Sequence, residues 1–441
     1  MRVAVVGTGH VGLVTAAALA GLGHDVVGMD LSTETVAALQ RAEPPFHEPG
    51  LAELLRDGVA SGRLRFTTSI PEAVGDAAVV FICVGRPPAG QGDRSLTAVE
   101  DVVRELARAA SDGVVLVVKS TVPPGTTGRI EKVVRGERPD LDLVAVSSPE
   151  FLREGHAVAD TLEPDRLVVG CDDPRGAAAL RELYAPVLAA GHPLIQTDPR
   201  TAELSKLASN AYLATKISFA NSLARVAELA GADVEGVSEI MGADPRIGPA
   251  FLRAGMGFGG YCLPKDIVTL EKVSERLGYD FGILREAVRV NDETLASTLR
   301  KVEEAVWNLE GKTVALFGLA FKPGTDDVRA APALALADAL RAEGAQVTGY
   351  DPMAGDTASS ADPDLTVRSD PYAAAEGAHC VVLCTEWPEF RDLDLTRLGS
   401  TMAQRAIVDG RNLLDADAVV AAGFHYLSVG REPREAGPRA Q

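Results

Sequence analysis

The chain opens with a short apolar strand, Arg2 to Val6, that runs straight into Gly7-Thr8-Gly9-His10-Val11-Gly12 and then into the Ala/Leu-rich stretch Leu13–Leu22. Few local patterns restrict a fold as strongly. A glycine turn between a buried strand and a helix leaves helix amides unpaired at a tight bend, and it marks the first βαβ unit of a doubly wound sheet. Gly23-His24 breaks the helix, and Asp25–Met29 reads as the second strand, ending in Asp30. The glycines permit close approach of a pyrophosphate, which the positive end of the helix attracts. Gly7, Gly9, His10, Val11 and Gly12 are therefore expected at a dinucleotide. An acidic residue about 20 positions past the loop completes the fingerprint: Asp30 would accept from the adenosine ribose and repel a 2′-phosphate, which favours NAD over NADP.

Strands are predicted at Ala77–Val84, Val114–Lys119 and Leu143–Ser147. Each ends in small or polar residues where the carboxyl ends of a doubly wound sheet line the ligand crevice. Val84-Gly85 and Lys119-Ser120-Thr121 fall there, and Thr121 serves either as a crevice residue or as a simple turn hydroxyl before Pro123. Glu150-Phe151-Leu152-Arg153-Glu154-Gly155 follows the last of these strands and offers carboxylates and an arginine for general base work or substrate anchoring.

From Ala202 to Ala230 neither glycine nor proline occurs, and apolar residues recur at helical spacing. Such a helix would extend about 43 Å. It suggests a spacer between domains that also packs on a second subunit. Lys206 and Asn210 share one face, as a solvated stripe or as part of a site. Arg246 and Arg253 further on suit a phosphate or the open surface.

Gly257-Phe258-Gly259-Gly260-Tyr261-Cys262-Leu263-Pro264-Lys265-Asp266 delivers one cysteine to the expected start of a helix. Pro264 is tolerated in a first turn, and the helix amides beside Cys262 favour a thiolate. Asp266 returns to the same helix face one turn later. A nucleophile with a carboxylate in reach suits covalent chemistry followed by hydrolysis. The competing reading is a buried cysteine at a tight turn.

Gly311 to Asp351 repeats the opening architecture with strands at Lys312–Leu319 and Ala345–Tyr350 and a helix at Pro332–Glu343. Further strands are predicted at Cys380–Thr385 and Ala406–Asp409. The glycine fingerprint is missing here. Lys322, Arg329 and Arg411 stand at strand ends instead, which suits a diphosphate held by cationic side chains. The expected architecture is α/β: two Rossmann-like doubly wound domains joined by a long central helix. The divisions are 1–198, 199–300 and 301–430, with a flexible tail over 431–441.

A formal charge of −19 over 441 residues argues against nucleic-acid and anionic-membrane partners. The five cysteines are scattered and odd in number, which fits a reducing compartment. The strand at the very start leaves no room for a signal peptide, and no apolar run approaches membrane-spanning length, so a cytoplasmic protein is expected. No metal site is expected.

Six motifs, taken in order, resemble the UDP-glucose/GDP-mannose dehydrogenase family over residues 1–415. They are Gly7-Thr8-Gly9-His10-Val11-Gly12, Lys119-Ser120-Thr121-Val122-Pro123, Pro149–Gly155, Lys206-Leu207-Ala208-Ser209-Asn210, the Cys262 loop and Phe321-Lys322. The resemblance implies oxidation of the primary alcohol of UDP-glucose to the carboxylate by two NAD, with GDP-mannose and UDP-N-acetylmannosamine as alternative substrates. Cys262 would hold the intermediate as thiohemiacetal and thioester, and Lys206 would stabilise the developing oxyanion. Asp266, Thr121, Glu150 and Asn210 complete the catalytic set it implies. The implied substrate contacts are Glu150, Phe151, Leu152, Arg153, Lys206, Asn210, Phe258, Gly259, Gly260, Phe321, Lys322 and Arg411, with Arg246 reaching a neighbouring subunit. Val84, Gly85, Ser120, Thr121, Glu154, Lys265 and Arg329 join the glycine loop at NAD. A homodimer through the central helix is implied. The segment Gly85–Leu96 departs from the family's Thr-Pro form.

Overall fold

The computed structural model describes residues 1–84 and 94–434, with the side chains of 94–98 excepted. Gly85 and the rest of the 85–93 segment lie outside the described residues, as does the tail from 435. The chain forms two compact units, Met1–Ser209 and Asn210–Gln441.

The first unit is built on eight strands: β1 Arg2–Val6, β2 Asp25–Met29, β3 Leu64–Thr67, β4 Val79–Ile82, β5 Val114–Val118, β6 Leu143–Ser147, β7 Leu167–Gly170 and β8 Leu194–Thr197. Their order is β3-β2-β1-β4-β5-β6-β7-β8. Every pairing is parallel except β6 with β7, which meet antiparallel through Ser147 and Gly170. The order reverses between β1 and β4, so the crevice where a doubly wound sheet takes its ligand opens beside the glycine turn. Helix α1 (His10–Gly21) buries Gly12 through Ala20 without interruption, as an apolar helix does when covered on all sides. It starts three residues earlier than its Ala/Leu run, because Gly9 caps it directly. Helix α2 (Thr126–Glu137) follows β5 after the left-handed Gly125.

Helix α3 (Pro199–Ala230) has 32 residues, begins in the first unit and ends in the second. It starts before Ala202 because proline is tolerated in a first turn and Asp198 caps it, accepting from Thr201 N at 3.0 Å and Thr201 Oγ1 at 2.5 Å.

In the second unit, α4 (Cys262–Arg276) and α5 (Gly282–Val306) precede a six-stranded parallel sheet. Its strands are β9 Thr313–Phe317, β10 Gln346–Tyr350, β11 Thr366–Val367, β12 Cys380–Leu383, β13 Ala406–Asp409 and β14 His425–Ser428, ordered β11-β10-β9-β12-β13-β14. Helix α6 (Pro332–Ala342) covers β9 and β10 through Leu336, Ala337 and Leu340, all fully buried. Burying each such leucine contributes about 1.5–3 kcal/mol. Both sheets are doubly wound, as the βα alternation predicts. β1, β2, β6 and β13 have the predicted bounds, β4, β5, β9, β10 and β12 are shorter than predicted, and β3, β7, β8, β11 and β14 are additional to those the sequence predicts.

Candidate active site

The turn after β1 is shaped for an anion. Gly7 has φ +94° and a Cβ there would stand 2.9 Å from the Cys83 backbone. A Cβ on Gly12 would strike the Gly7 carbonyl, so the third glycine lets α1 pack against the strand exit. Around Gly9, by contrast, an added Cβ meets nothing within 4 Å, and no side chain caps the helix it starts. Unpaired amides and open space at a helix N-terminus fit the pyrophosphate of a dinucleotide. Asp30, at the end of β2, takes Thr8 N at 3.0 Å and Thr8 Oγ1 at 2.9 Å on one oxygen and Ser32 N at 3.0 Å on the other. A carboxylate has about four lone-pair sites, so acceptor capacity remains for a ribose hydroxyl.

The loop is braced from below by a residue the sequence did not single out. Glu48 is buried, accepts from Gly155 N and Ala157 N at 2.8 Å each, and stands 3.0 Å from His10 Nε2, whose ring stacks on Phe46 at 4.6 Å. Burial pushes this carboxyl up, but His10 and the two amides outweigh it and hold Glu48 below its usual range. It ties the segment after β6, where Glu154 lies, to the first residue of α1. Val11 sits one place further along α1, and Val84 leaves β4 with its carbonyl taken by Ser120 Oγ at 2.9 Å. Thr121 follows, half-buried, past the end of β5.

Glu150 and Lys206 form a buried pair at 3.0 Å, with the lysine 3 % exposed. Burial alone would raise Glu150; the Lys206 charge, the Leu152 amide at 2.6 Å and Lys119 overcome it, and the carboxyl is lowered. Glu150 is thus an ionised partner. The Lys206 ammonium also stands 5.5 Å from the Phe151 ring, and Arg166 stacks on the same ring at 3.8 Å. Arg153 goes elsewhere: it is exposed and bidentate to Asp160. Glu203, one turn before Lys206 on α3, accepts from Gly125 N at 2.5 Å and from Thr127 N and Oγ1 at 2.7 Å. That carboxylate at the N-terminus of α2 anchors the Thr121 segment to α3.

In the second unit, Cys262 is the first residue of α4. Of the five cysteines it alone is not buried; none is in a disulfide. Burial pushes the thiols of Cys83, Cys380 and Cys384 up to about 12, so they are inert. Asp266, one turn along α4, is 1 % exposed and accepts from Asn210 Nδ2 at 2.6 Å. Its other oxygen lies 3.3 Å from the Lys265 ammonium but takes no aligned hydrogen bond among the described residues. Asn210 follows Lys206 by one turn of α3, so the helix carries a buried cation and the Asp266 donor on one face.

The crevice of the second sheet meets this loop. A Cβ on Gly260 (φ +78°) would touch the Phe321 ring at 2.8 Å, and one on Gly259 would strike the Ala330 carbonyl. Arg329 lies 4.6 Å over Tyr261 and pairs with Asp327. Lys265 lies 4.9 Å from the centre of the same Tyr261 ring, and Lys322 stands 5.5 Å from Phe321. Arg411 donates to Cys384 O at 2.7 Å, and a Cβ on Gly255 would meet its guanidinium at 3.0 Å. Lys265, Lys322, Arg329 and Arg411 thus gather around the cysteine loop in a chain of charge −19. Arg246 is exposed and pairs with Asp244. Among the described residues no cluster of His, Cys, Asp and Glu could hold a metal.

Profiles of the UDP-glucose/GDP-mannose dehydrogenase family match its NAD binding domain at residues 1–188, its central domain at 200–293 and its UDP binding domain at 315–416. The chain is 43% identical to a UDP-glucose 6-dehydrogenase of Pseudomonas aeruginosa over 98% of both chains. It is equally 43% identical to one of Rhizobium meliloti, covering 98% of this chain and all of that one. A solved UDP-glucose dehydrogenase from Pyrobaculum islandicum superposes with a TM-score of 0.89 at 38% identity, over 97% of each chain.

Proposed function

This chain belongs to the UDP-glucose/GDP-mannose dehydrogenase family of NAD-dependent dehydrogenases, and we propose that it oxidises UDP-glucose to UDP-glucuronate in two steps on one enzyme-bound sugar. The observation that carries this reading is the one accessible thiol at a helix N-terminus, one turn from a buried carboxylate fixed by Asn210. NAD, when bound at the glycine turn, would supply the hydride acceptor, one molecule for each of the two oxidations. The Cys262 sulfur adds to the C6 aldehyde, forming a C–S bond as the carbonyl oxygen becomes an alkoxide. Lys206, a buried cation, stabilises that charge, and Asn210 shares the helix face. The second oxidation leaves a thioester. Asp266, with the carboxylate oxygen that takes no aligned hydrogen bond among the described residues, orients the water that cleaves it. Thr121 and the ionised Glu150 assist in holding that water, whose proton passes to Asp266 and from there to the departing Cys262 thiolate. The C–S bond breaks, the thiol is restored and the carboxylate leaves.

Phe151, Leu152, Phe258, Gly259, Gly260, Phe321, Lys322 and Arg411 hold the nucleotide sugar, whose diphosphate suits the local cations. Glu154, Ser120, Val84, Lys265 and Arg329 complete the NAD contacts. The functional divisions are 1–198, 199–300 and 301–430, close to the three family matches. The enzyme works as a homodimer through α3, where Tyr212, Phe219 and Val226 recur every seven residues and are 65 %, 54 % and 59 % exposed. The exposed Arg246 is then available to a partner's substrate. The proposed location is the cytoplasm; among the described residues no helix is long and apolar enough to cross a membrane.

The test is the stoichiometry of NAD reduced per UDP-glucose consumed, with Cys262→Ser beside the wild type. Two per sugar, and none carried through to the acid by the variant, are expected. UDP-glucuronate formed at full rate by Cys262→Ser would overturn the mechanism. Initial rates with UDP-glucose, GDP-mannose and UDP-N-acetylmannosamine at matched concentration test the substrate.

A further inference from the structure

The loop that delivers Cys262 is held mainly by amide side chains. Asn221 of α3 accepts from Gly255 N at 2.8 Å and is buried. Asn291 of α5 does more: its Oδ1 accepts from Phe258 N at 2.7 Å and its Nδ2 donates to Phe258 O at 3.1 Å. One carboxamide thus satisfies both polar groups of a residue four places before the thiol, as a neighbouring strand would. The glycines are shaped to this grip. Gly257 has φ +96°, and a Cβ there would stand 2.6 Å from Asn291 Oδ1. Gly260, with φ +78°, turns the chain against Phe321 just before the helix begins.

On the α5 side packing is incomplete, although Met256 and Phe258 are buried. A cavity of about 300 Å³ lies there, lined by Phe258, Pro264, Val268, Asn291 and Leu295 among others. Phe258 and Pro264 stand on either side of Cys262 in the chain, so the loop borders empty space both before and after the thiol. Close-packed side chains would resist displacement; a cavity does not. On this side the hydrogen-bonded bracket fixes the loop, while Ala330, Pro332 and Phe321 pack on Gly259 and Gly260 from the other elements.

We propose that Asn291 is a positioning residue for Cys262: its carboxamide brackets the Phe258 peptide and so sets where α4 begins and where the thiol meets the helix amides. The proposal rests on the reading of Cys262 as nucleophile, but its test does not need turnover. Asparagine is required because aspartate lacks the donor, leucine lacks both groups and glutamine is one methylene too long.

The experiment measures the rate at which iodoacetamide alkylates Cys262 in resting enzyme, with the modified peptide identified by mass spectrometry. It is run on wild type, Asn291→Leu and Asn291→Asp, beside kcat and the dissociation constant of NAD. Asn291→Leu is expected to slow alkylation and kcat about tenfold, the loss of a hydrogen bond's worth of fixing, with NAD binding unchanged. Asn291→Asp keeps the acceptor for Phe258 N and recovers part of both. Gly257→Ala, which pushes into Asn291, slows alkylation in the same way. Alkylation at the wild-type rate or faster in Asn291→Leu overturns the proposal. Should that variant not fold, Asn291→Asp and Gly257→Ala carry the same test, and wild-type alkylation in both has the same meaning. Failure of the mechanism itself would show instead as acid formed by Cys262→Ser, whatever the alkylation rates.

Discussion

The two sheets share one strand order about a central first strand, and each first strand ends at a glycine in the left-handed region, Gly7 at φ +94° and Gly318 at φ +87°. Both glycines are required for one reason. A Cβ would press on the next strand's exit, 2.9 Å from Cys83 in the first sheet and 2.5 Å from Thr385 in the second. Beyond that turn the sheets part. In the first, α1 starts at His10 and offers its amides at once. In the second, the chain passes Phe321, Lys322 and Arg329 before α6 begins at Pro332, so cations stand where amides would. The acids ending the second strands differ as well. Asp30 receives three hydrogen bonds, all from Thr8 and Ser32. Asp351 is buried and receives five, from Leu319, Ala320, Met353 and Ala354 amides and the Trp387 indole. Topology therefore does not assign the ligand. The donors that the protein itself supplies to each acid decide whether it can serve one.

This contrast can be broken by mutation. The largest effect is expected from Gly12→Val, whose side chain has no room beneath the Gly7 carbonyl: NAD binding should vanish in equilibrium dialysis. Retained binding would refute the packing role of the third glycine. Asp351→Ala should cost about 3 kcal/mol in urea unfolding, because five buried donors lose their acceptor. NAD affinity should stay unchanged, and a stability loss under about 1 kcal/mol would erase the distinction from Asp30. Asp30→Ala should show the converse, with NAD affinity down about tenfold, discrimination against NADP relaxed and stability nearly intact. Gly9→Ala is sharper still: with φ −67° and no neighbour within 4 Å the fold should tolerate it, while NAD affinity falls. A lower melting temperature without loss of affinity would place that glycine in folding instead.

The smallest effect concerns acid. Glu150 is lowered in the folded state, so it contributes stability above its unfolded value that is lost as pH falls through the folded one. Asp409, buried in the second sheet, is raised by burial beyond what the Arg411, Leu413 and Leu414 amides and the Tyr426 hydroxyl restore. It therefore opposes stability as pH rises from its unfolded value through its folded one. Melting temperatures followed from about pH 6 to about pH 3 should fall less steeply in Glu150→Gln and more steeply in Asp409→Asn than in wild type. Identical slopes would show that neither group is coupled to folding.

The legible parts of the molecule are those whose cause is local. β1, the glycine turn, α1 and β2 lie within 30 residues, and their periodicity and φ requirements stand in the chain itself. The Cys262 loop is legible likewise, since the glycine run and the helix start are adjacent in the chain. Asn291, Glu48 and Glu203 were not legible. Each is a single polar residue without periodicity, and each acts on backbone far away in sequence: Asn291 on Phe258 across 33 residues, Glu203 on Thr127 across 76 and Glu48 on Gly155 across 107. Arg153 shows the converse limit of locality. Its motif groups it with Glu150, yet its guanidinium turns outward to Asp160.

Taken alone, the order of amino acids determined two doubly wound sheets, a dinucleotide turn, a long helix and one cysteine at a helix start, because steric limits on φ and apolar periodicity act between near neighbours. Tertiary structure alone decided which polar groups remain available to a ligand. Asp30 keeps acceptor capacity and Asp351 has none to spare, and four thiols are buried while Cys262 is not. A polar group is satisfied by whichever partner the fold carries to it, and that partner's distance along the chain has no bearing on its distance in space.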